Sequence, residues 1–267
     1  MNGSIHNEGK KKAVNEKDNN GRKILYLSRH LIAGRSQVVQ CEIGVMTPDD
    51  YDEAVKLHGR VAQGMSRELF VPTSEEDIMR LLDRDGISLG VWFEDRLICM
   101  RAIVTNGEWM DEILTDMGLV TDPERKSVYT EHCIVDKDFR GNNTQFLTHY
   151  AIENIITDRY ETFYTTVSPQ NSFSLQNVLG CNFVVVGIRK MYGGYQRYIL
   201  RKVLSRGMPI WTHGHLIIPV HEAEHQAAAI ADGYVGYKLI RKSRRFSVLY
   251  APAGDNPPKG YWRNIAE

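Results

Sequence analysis

A strand, a sharp polar turn and a helix follow one another between Tyr129 and Ile156, and they constrain this 267-residue chain more than any other stretch. The apolar run Tyr129 to Val135 predicts a strand. Asp136-Lys137-Asp138-Phe139-Arg140-Gly141 turns it, and a helix over about 142–157 carries Phe146, Leu147, Tyr150, Ile152, Ile155 and Ile156 on its apolar side. The first N–H groups of a helix have no internal acceptor, and the helix dipole adds partial positive charge there. A strand feeding such a turn is therefore an anion site, and a phosphorylated ligand is the expected occupant.

The flanks predict more of the same layering. Cys41 to Met46 is a short strand, and Thr47-Pro48 opens a helix through Tyr51, Ala54, Val55 and Leu57. Thr73 or Ser74 caps a second helix bearing Ile78, Leu81 and Leu82. Ser88 to Phe93 and Leu97 to Thr105 form a hairpin about Glu94-Asp95-Arg96. Asp111, Glu112 and Asp116 read as an acidic loop ending at Asp122-Pro123. Strands are expected at Phe163 to Val167, Phe183 to Arg189 and Tyr195 to Val203, with a short helix over 172–180 after Ser168-Pro169-Gln170-Asn171. The fold class is mixed α/β, helices on a mostly antiparallel central sheet. Residues 1–22 are polar and lack bulky apolar side chains, which predicts disorder; 23–205 form the main domain and 206–267 a C-terminal α+β extension.

Lysine plus arginine equals aspartate plus glutamate, 33 against 33, so no global field draws the chain to nucleic acid or membrane. Four cysteines without paired spacing suit a reducing compartment. With no bilayer-length apolar run and no signal-peptide core, a cytoplasmic location is expected.

Two motifs carry a resemblance to the GCN5-related N-acetyltransferases (GNAT). They are Val135-x-x-x-Phe139-Arg140-Gly141 and Val167-x-Pro169-x-Asn171-x-x-Ser174, the latter ending at Phe183. The resemblance covers roughly 41–203 and implies acyl-CoA-dependent N-acylation, with acetyl-CoA the default donor and a small-molecule amine the acceptor. It implies that the strands at 128–135 and 162–167 splay apart. The pantetheine arm would bond main-chain groups of Cys133, Ile134 and Val135. The diphosphate would rest on amides of Arg140, Gly141, Asn142, Asn143, Thr144 and Gln145, and Asn171 would order the following helix. Longer acyl groups from acyl-CoA or a carrier protein, a non-catalytic acyl-CoA sensor, and a homodimer are compatible with it. Asn143 and Gln145 stand at the family's late glycine positions, and Val178 stands where a proton-donating tyrosine is usual.

Transfer to an amine needs a base and an oxyanion stabiliser. Glu131 is the candidate base; a carboxylate paired at a sheet edge is the other reading. His132 faces the opposite side in a regular strand unless a bulge intervenes. Tyr192 and Tyr195, about the Gly193-Gly194 turn, either reach the cleft or pack on their strand. His221-Glu222-Ala223-Glu224-His225 has zinc-hydrolase spacing, on an alanine-rich helix placed at about 220–231, with His213 and His215 upstream. A third ligand is lacking downstream, so no metal is assigned there.

Overall fold

A computed structural model describes residues 23–34, 37–120, 126–204, 215–243 and 245–253. The expectations for residues 1–22, for Asp122-Pro123 and for His213 fall outside them.

The central strands explain the order of the rest. β3 (Gly86–Phe93), β4 (Arg96–Val104) and β5 (Ser127–Val135) are near-continuous apolar runs, and β4 is buried at every position after its first. Strands of that composition need cover on both faces. One face is covered by α1 (Tyr51–Ala62), α2 (Glu75–Leu82) and α3 (Gly107–Asp116), which seat Leu57, Leu81 and Leu114 against Trp92, Met100 and Tyr129. The other is covered by α4 (Thr144–Ile156), α5 (Ser172–Gly180) and α6 (Ala223–Ala231), whose Ile152, Leu179 and Ile230 meet Phe163, Val185 and Tyr250.

With β1 (Ile24–Leu31), β2 (Val38–Val45), β6 (Thr162–Val167), β7 (Val184–Met191), β8 (Tyr195–Val203), β9 (Leu216–Pro219), β10 (Tyr234–Lys242) and β11 (Arg245–Pro252), the sheet has eleven strands. Their order is β1-β2-β3-β4-β5-β6-β8-β7-β10-β11-β9. Among the described residues every neighbouring pair is antiparallel except β5 with β6. The architecture is the mixed α/β layer expected, with helices on a mostly antiparallel central sheet.

Three details differ from the sequence expectation. β1 adds an edge strand not foreseen. The acidic stretch is not a loop but α3, capped by Asn106, whose side chain accepts from the Trp109 N–H at 3.2 Å. Between His215 and His221 lies β9, a strand that the sequence reading did not place. Of the two caps expected for α2, Ser74 is the one used, accepting from the Asp77 N–H at 3.0 Å.

The strands of the expected extension continue the sheet through β10, which meets β7 at Gly236↔Val185. A side chain at Gly236 would put its Cβ 2.8 Å from Val248 Cγ1 and 3.0 Å from Val185 Cβ, so only glycine allows the approach. Gln226 of α6 is the polar anchor. Its Oε1 accepts from the hydroxyls of Tyr198 at 2.7 Å and Tyr250 at 2.8 Å, and its Nε2 donates to the carbonyls of Pro219 and Val220, both at 3.2 Å. The residue is fully buried, so Gln226→Ala strands two phenols and two carbonyls. We predict a loss of ~2–4 kcal/mol in denaturant unfolding for Gln226→Ala, and a smaller loss for Tyr250→Phe, which removes only one donor.

Candidate active site

β5 and β6 pair in parallel from Ser127↔Thr162 to Thr130↔Thr165, and no further. Glu131 to Val135 continue beside β4 alone, while Thr166 and Val167 follow β8. The two strands thus part within the sheet, and the site is built along the gap.

At its open end stands the turn. Gly141 (φ 83°) and Asn143 (φ 56°) are both left-handed, and asparagine is among the few side chains that tolerate this. Asn143 is the N-cap of α4, its carbonyl accepting from the Leu147 N–H at 3.0 Å. Among the described residues, the N–H groups of Gly141 to Phe146 find no acceptor. The Arg140 Nε–H returns to the Val135 carbonyl at 3.2 Å. Asn142 does not face the opening. Its carboxamide pairs with both main-chain groups of Leu31 (2.7 and 2.8 Å), so β1 clamps the turn. Arg101, 7% exposed in β4, fixes the start of α4 from within, donating to the Gln145 carbonyl at 2.8 Å and to Thr148 Oγ1 at 3.1 Å.

Midway, the Gln145 side chain crosses the gap. Its Nε2 lies 3.5 Å from the Cys133 carbonyl, and its Oε1 accepts from Asn177 Nδ2 of α5. Asn171 caps α5, accepting from the Ser174 N–H at 3.1 Å. The Cys133 thiol points to Thr148 at 3.8 Å. A hydrogen bond from Cys99 draws its pKa down to about 6 against the opposing effect of burial, with Arg101 and Thr148 adding to the pull.

At the closed end the register of β5 against β4 slips between Ile103↔Thr130 and Ala102↔His132, leaving Glu131 as a bulge. The alternation that would send Glu131 and His132 to opposite faces is broken there. Both reach Thr73, at 3.3 Å from Glu131 Oε1 and 3.2 Å from His132 Nδ1. His132 Nε2 in turn lies 3.2 Å from His58 Nε2 of α1. Burial holds His58 down to about 4 and holds His132 well below its usual value, with His58 and Arg101 adding to the latter. Both rings are therefore neutral at pH 7, and the donors are fixed by elimination. Thr73 gives its one proton to Glu131, so it accepts from His132 Nδ1–H; His132 Nε2 then accepts from His58 Nε2–H. The chain of donors runs one way and ends on the carboxylate.

Beside Glu131 the hydroxyls of Tyr129, Thr166 and Tyr192 form a triangle of 2.9, 2.9 and 3.1 Å. Burial raises the pKa of both tyrosines, with nearby Glu131 contributing, so both stay protonated. Of the two weighed tyrosines, Tyr192 joins the hydroxyl triangle; both rings lie beside the Arg197 guanidinium, Tyr192 at 5.5 Å and Tyr195 at 5.7 Å. Tyr129, Thr73, His58, Arg101 and Arg197 were not singled out from sequence. Alternation alone gave no signal for them, because a bulge and a loop contact bring them in.

The zinc-like spacing does not survive folding. α6 begins at Ala223, so His221 lies before the helix and the two imidazoles share no helical face. His225 Nδ1 lies 2.8 Å from Glu222 Oε2, and His215 Nδ1 lies 2.9 Å from the Tyr237 hydroxyl. No helix among the described residues is long and apolar enough to cross a membrane.

No protein-family model matches the sequence, and no curated protein sequence matches it. Among solved structures the chain is similar to an N-acetyltransferase from Staphylococcus aureus Mu50, at 17% identity over 62% of this chain and 99% of that one, TM-score 0.47. It is similar to a GNAT-family acetyltransferase from Streptococcus pneumoniae, at 14% identity over 61% and 98%, TM-score 0.48. It is also similar to Arabidopsis thaliana NAA60 in complex with acetyl-CoA, at 12% identity over 62% and 99%, TM-score 0.47.

Glu131 makes a pH prediction. Burial lifts its carboxyl from 4.5 to about 7, opposed by the Thr73 hydrogen bond and reinforced by Asp77. Between those values the unfolded chain releases the proton and the native chain keeps it, so stability falls as pH rises through this window. Glu131→Gln should flatten the fall by on the order of 2 kcal/mol, read from denaturant midpoints at intervals between pH 4.5 and 7.5.

Proposed function

We propose that the chain is an acyl-CoA-dependent N-acyltransferase, with acetyl-CoA the default donor and an amine the acceptor, working by direct transfer in a ternary complex. One observation carries this reading. The gap between β5 and β6 has unengaged amides at one end and an elevated carboxyl beside protonated hydroxyls at the other. A diphosphate suits the first, a thioester reacting with an amine suits the second, and an extended linear arm suits the space between.

In this reading the diphosphate binds the amides of Gly141 to Gln145 through the dipole and N–H groups of α4. The pantetheine arm bonds main-chain groups of Cys133 to Val135. A main-chain N–H of the unpaired edge polarises the thioester carbonyl. The neutral amine attacks that carbon; the C–N bond forms and the C–S bond breaks. Glu131 takes the proton that the amine loses, directly or through a water. Its pKa of about 7 lets it be ionised at working pH and still basic enough to help. The Tyr192 hydroxyl, held by Tyr129 and Thr166, returns a proton to the leaving thiolate. In this reading a hydroxyl from this turn takes the role for which Val178 has no group.

Gln145 must move for the arm to enter. Its carboxamide presents an N–H to the Cys133 carbonyl, as a pantetheine amide would, so entry exchanges one such bond for another. Gln145→Gly is therefore expected to tighten CoA by about 3–10-fold, the range of roughly one hydrogen bond no longer broken on entry. Isothermal calorimetry checks it, and weaker binding would contradict the gate.

The transferase reading itself is tested by thermal shift with CoA, acetyl-CoA and longer acyl-CoAs. A ligand at 100 times its Kd should stabilise the native state by about 2.7 kcal/mol. Thiol release with an amine panel should rise with pH through about 7, following Glu131. Glu131→Gln should cut turnover by about 10²–10⁴-fold with the CoA-induced shift intact. Unchanged turnover would take Glu131 out of the mechanism; no shift with any acyl-CoA would end the reading.

A further inference from the structure

Arg197 of β8 is 4% exposed, yet no carboxylate lies within ion-pair distance of it among the described residues. A buried guanidinium is costly without an anion, and arginine is usually paired when enclosed. Two of its N–H groups are used: Nη1 donates to the Gln196 carbonyl at 2.8 Å and Nη2 to the Arg67 carbonyl, in the loop between α1 and α2, at 3.3 Å. A guanidinium has five such groups, and among the described residues no acceptor is found for the other three. The rings of Tyr192 and Tyr195 stand 5.5 and 5.7 Å from it. Burial already lowers its pKa, and a bound anion would reverse that cost.

Its position decides what the anion belongs to. Arg197 touches the ring of Tyr192, and the hydroxyl of that ring belongs to the triangle beside Glu131. Tyr192 therefore links the two: its ring lies 5.5 Å from the Arg197 guanidinium, and its hydroxyl lies 2.9 Å from that of Tyr129, two residues before Glu131 on β5. The Glu68 carboxylate acts on Arg197 only from beyond ion-pair distance and accepts from Gln170 Nε2. The cleft thus has a proton-accepting end at Glu131 and an unpaired cationic end at Arg197, one tyrosine apart.

We propose that the acceptor is a free amino acid, its amine presented to Glu131 and its carboxylate bound by Arg197. The assignment rests on the acyltransferase reading for the fate of the amine, but the carboxylate site stands on its own geometry. Arginine suits a carboxylate because its planar fork matches both oxygens. Charge-assisted bonds of that kind are worth a factor of about 10–100 in affinity.

Matched pairs test it: phenylalanine against phenethylamine, lysine against cadaverine, and alanine against ethylamine, each titrated calorimetrically into the full chain. At least one amino acid should bind ~10–100-fold more tightly than its amine. Arg197→Gln should erase that preference, and Arg197→Lys should keep part of it. Equal affinities within every pair, no binding by any probe, or a preference that persists in Arg197→Gln would each overturn the proposal. A merely structural Arg197 would weaken amine and amino acid alike, so the ratio separates the two roles. Should Arg197→Gln not fold, the pairs on the unaltered chain still decide. The CoA thermal shift, run on the same samples, reports the transferase reading separately. A retained shift with no carboxylate preference sinks only the amino-acid assignment; a carboxylate preference with no shift sinks only the transferase.

Discussion

Beyond Thr130 and Thr165 a strand in the middle of a sheet loses its neighbour on one side. Unpaired main-chain groups inside a protein are costly, and nearly all find a partner. That constraint organises everything around the gap. Two side-chain carboxamides, Gln145 and Asn177, bridge it, and one of them caps the Cys133 carbonyl. The bridge is polar and local, not a packed core, so it can open without disturbing the two layers behind it. A gap filled by apolar side chains would have closed the sheet for good. The opening is kept available by the same residues that make the empty chain satisfied.

The bulge at Glu131 is the second consequence of the parting strands. β5 still follows β4 on its other side, and a one-residue slip there turns Glu131 and His132 toward one loop. Thr73 then closes a relay of neutral donors onto the carboxyl. The relay is neutral because three ionisable groups share a dry space: burial lowers both histidines and raises the glutamate. A charged histidine there would pull the Glu131 carboxyl down and leave it a poor base. Asp136, one strand length away, shows the contrast. It too is buried, yet bonds from Arg96, the Asp138 N–H and Arg60 outweigh burial and hold it below the usual carboxylate range. Glu131 in β5 and Asp136 just past its end thus shift in opposite directions, according to whether a threonine or arginines face them.

What was legible in the sequence follows the same division between local and non-local. The turn after Val135 could be read because its strand, glycine and helix are consecutive, and Asn143 adopts the left-handed backbone its side chain permits. The bulge could not, since register is a property of two strands and one strand's alternation predicts the opposite of what is seen. α3 was hidden by its acids: Met110, Ile113, Leu114 and Met117 recur at helical spacing, but Asp111, Glu112 and Asp116 between them resemble a solvated loop. β1 was hidden because an edge strand need not look apolar; Leu27 and Leu31 are each 48% exposed, and only its clamp on Asn142 ties it to the site. The zinc-like spacing misled for a plainer reason. Spacing specifies a shared face only if the helix already runs through both residues, and here it starts two residues too late.

Two buried arginines finally separate structure from recognition. Arg101 and Arg197 are 7% and 4% exposed, and both donate to main-chain carbonyls. Arg101 has the Cys133 thiol beside it, with its pKa drawn down to about 6, so a negative charge can form against that guanidinium within the protein. Its bonds to Thr148 and to the Gln145 carbonyl make it a strut for the start of α4. Arg197 has two main-chain carbonyls and two aromatic rings, and among the described residues no carboxylate within ion-pair distance; the charge of Glu68 reaches it only from further away. The same side chain, equally enclosed, is thus tied to a helix start in one place and, in the other, left among the described residues without an ion pair, which is the ground on which the proposed carboxylate site stands.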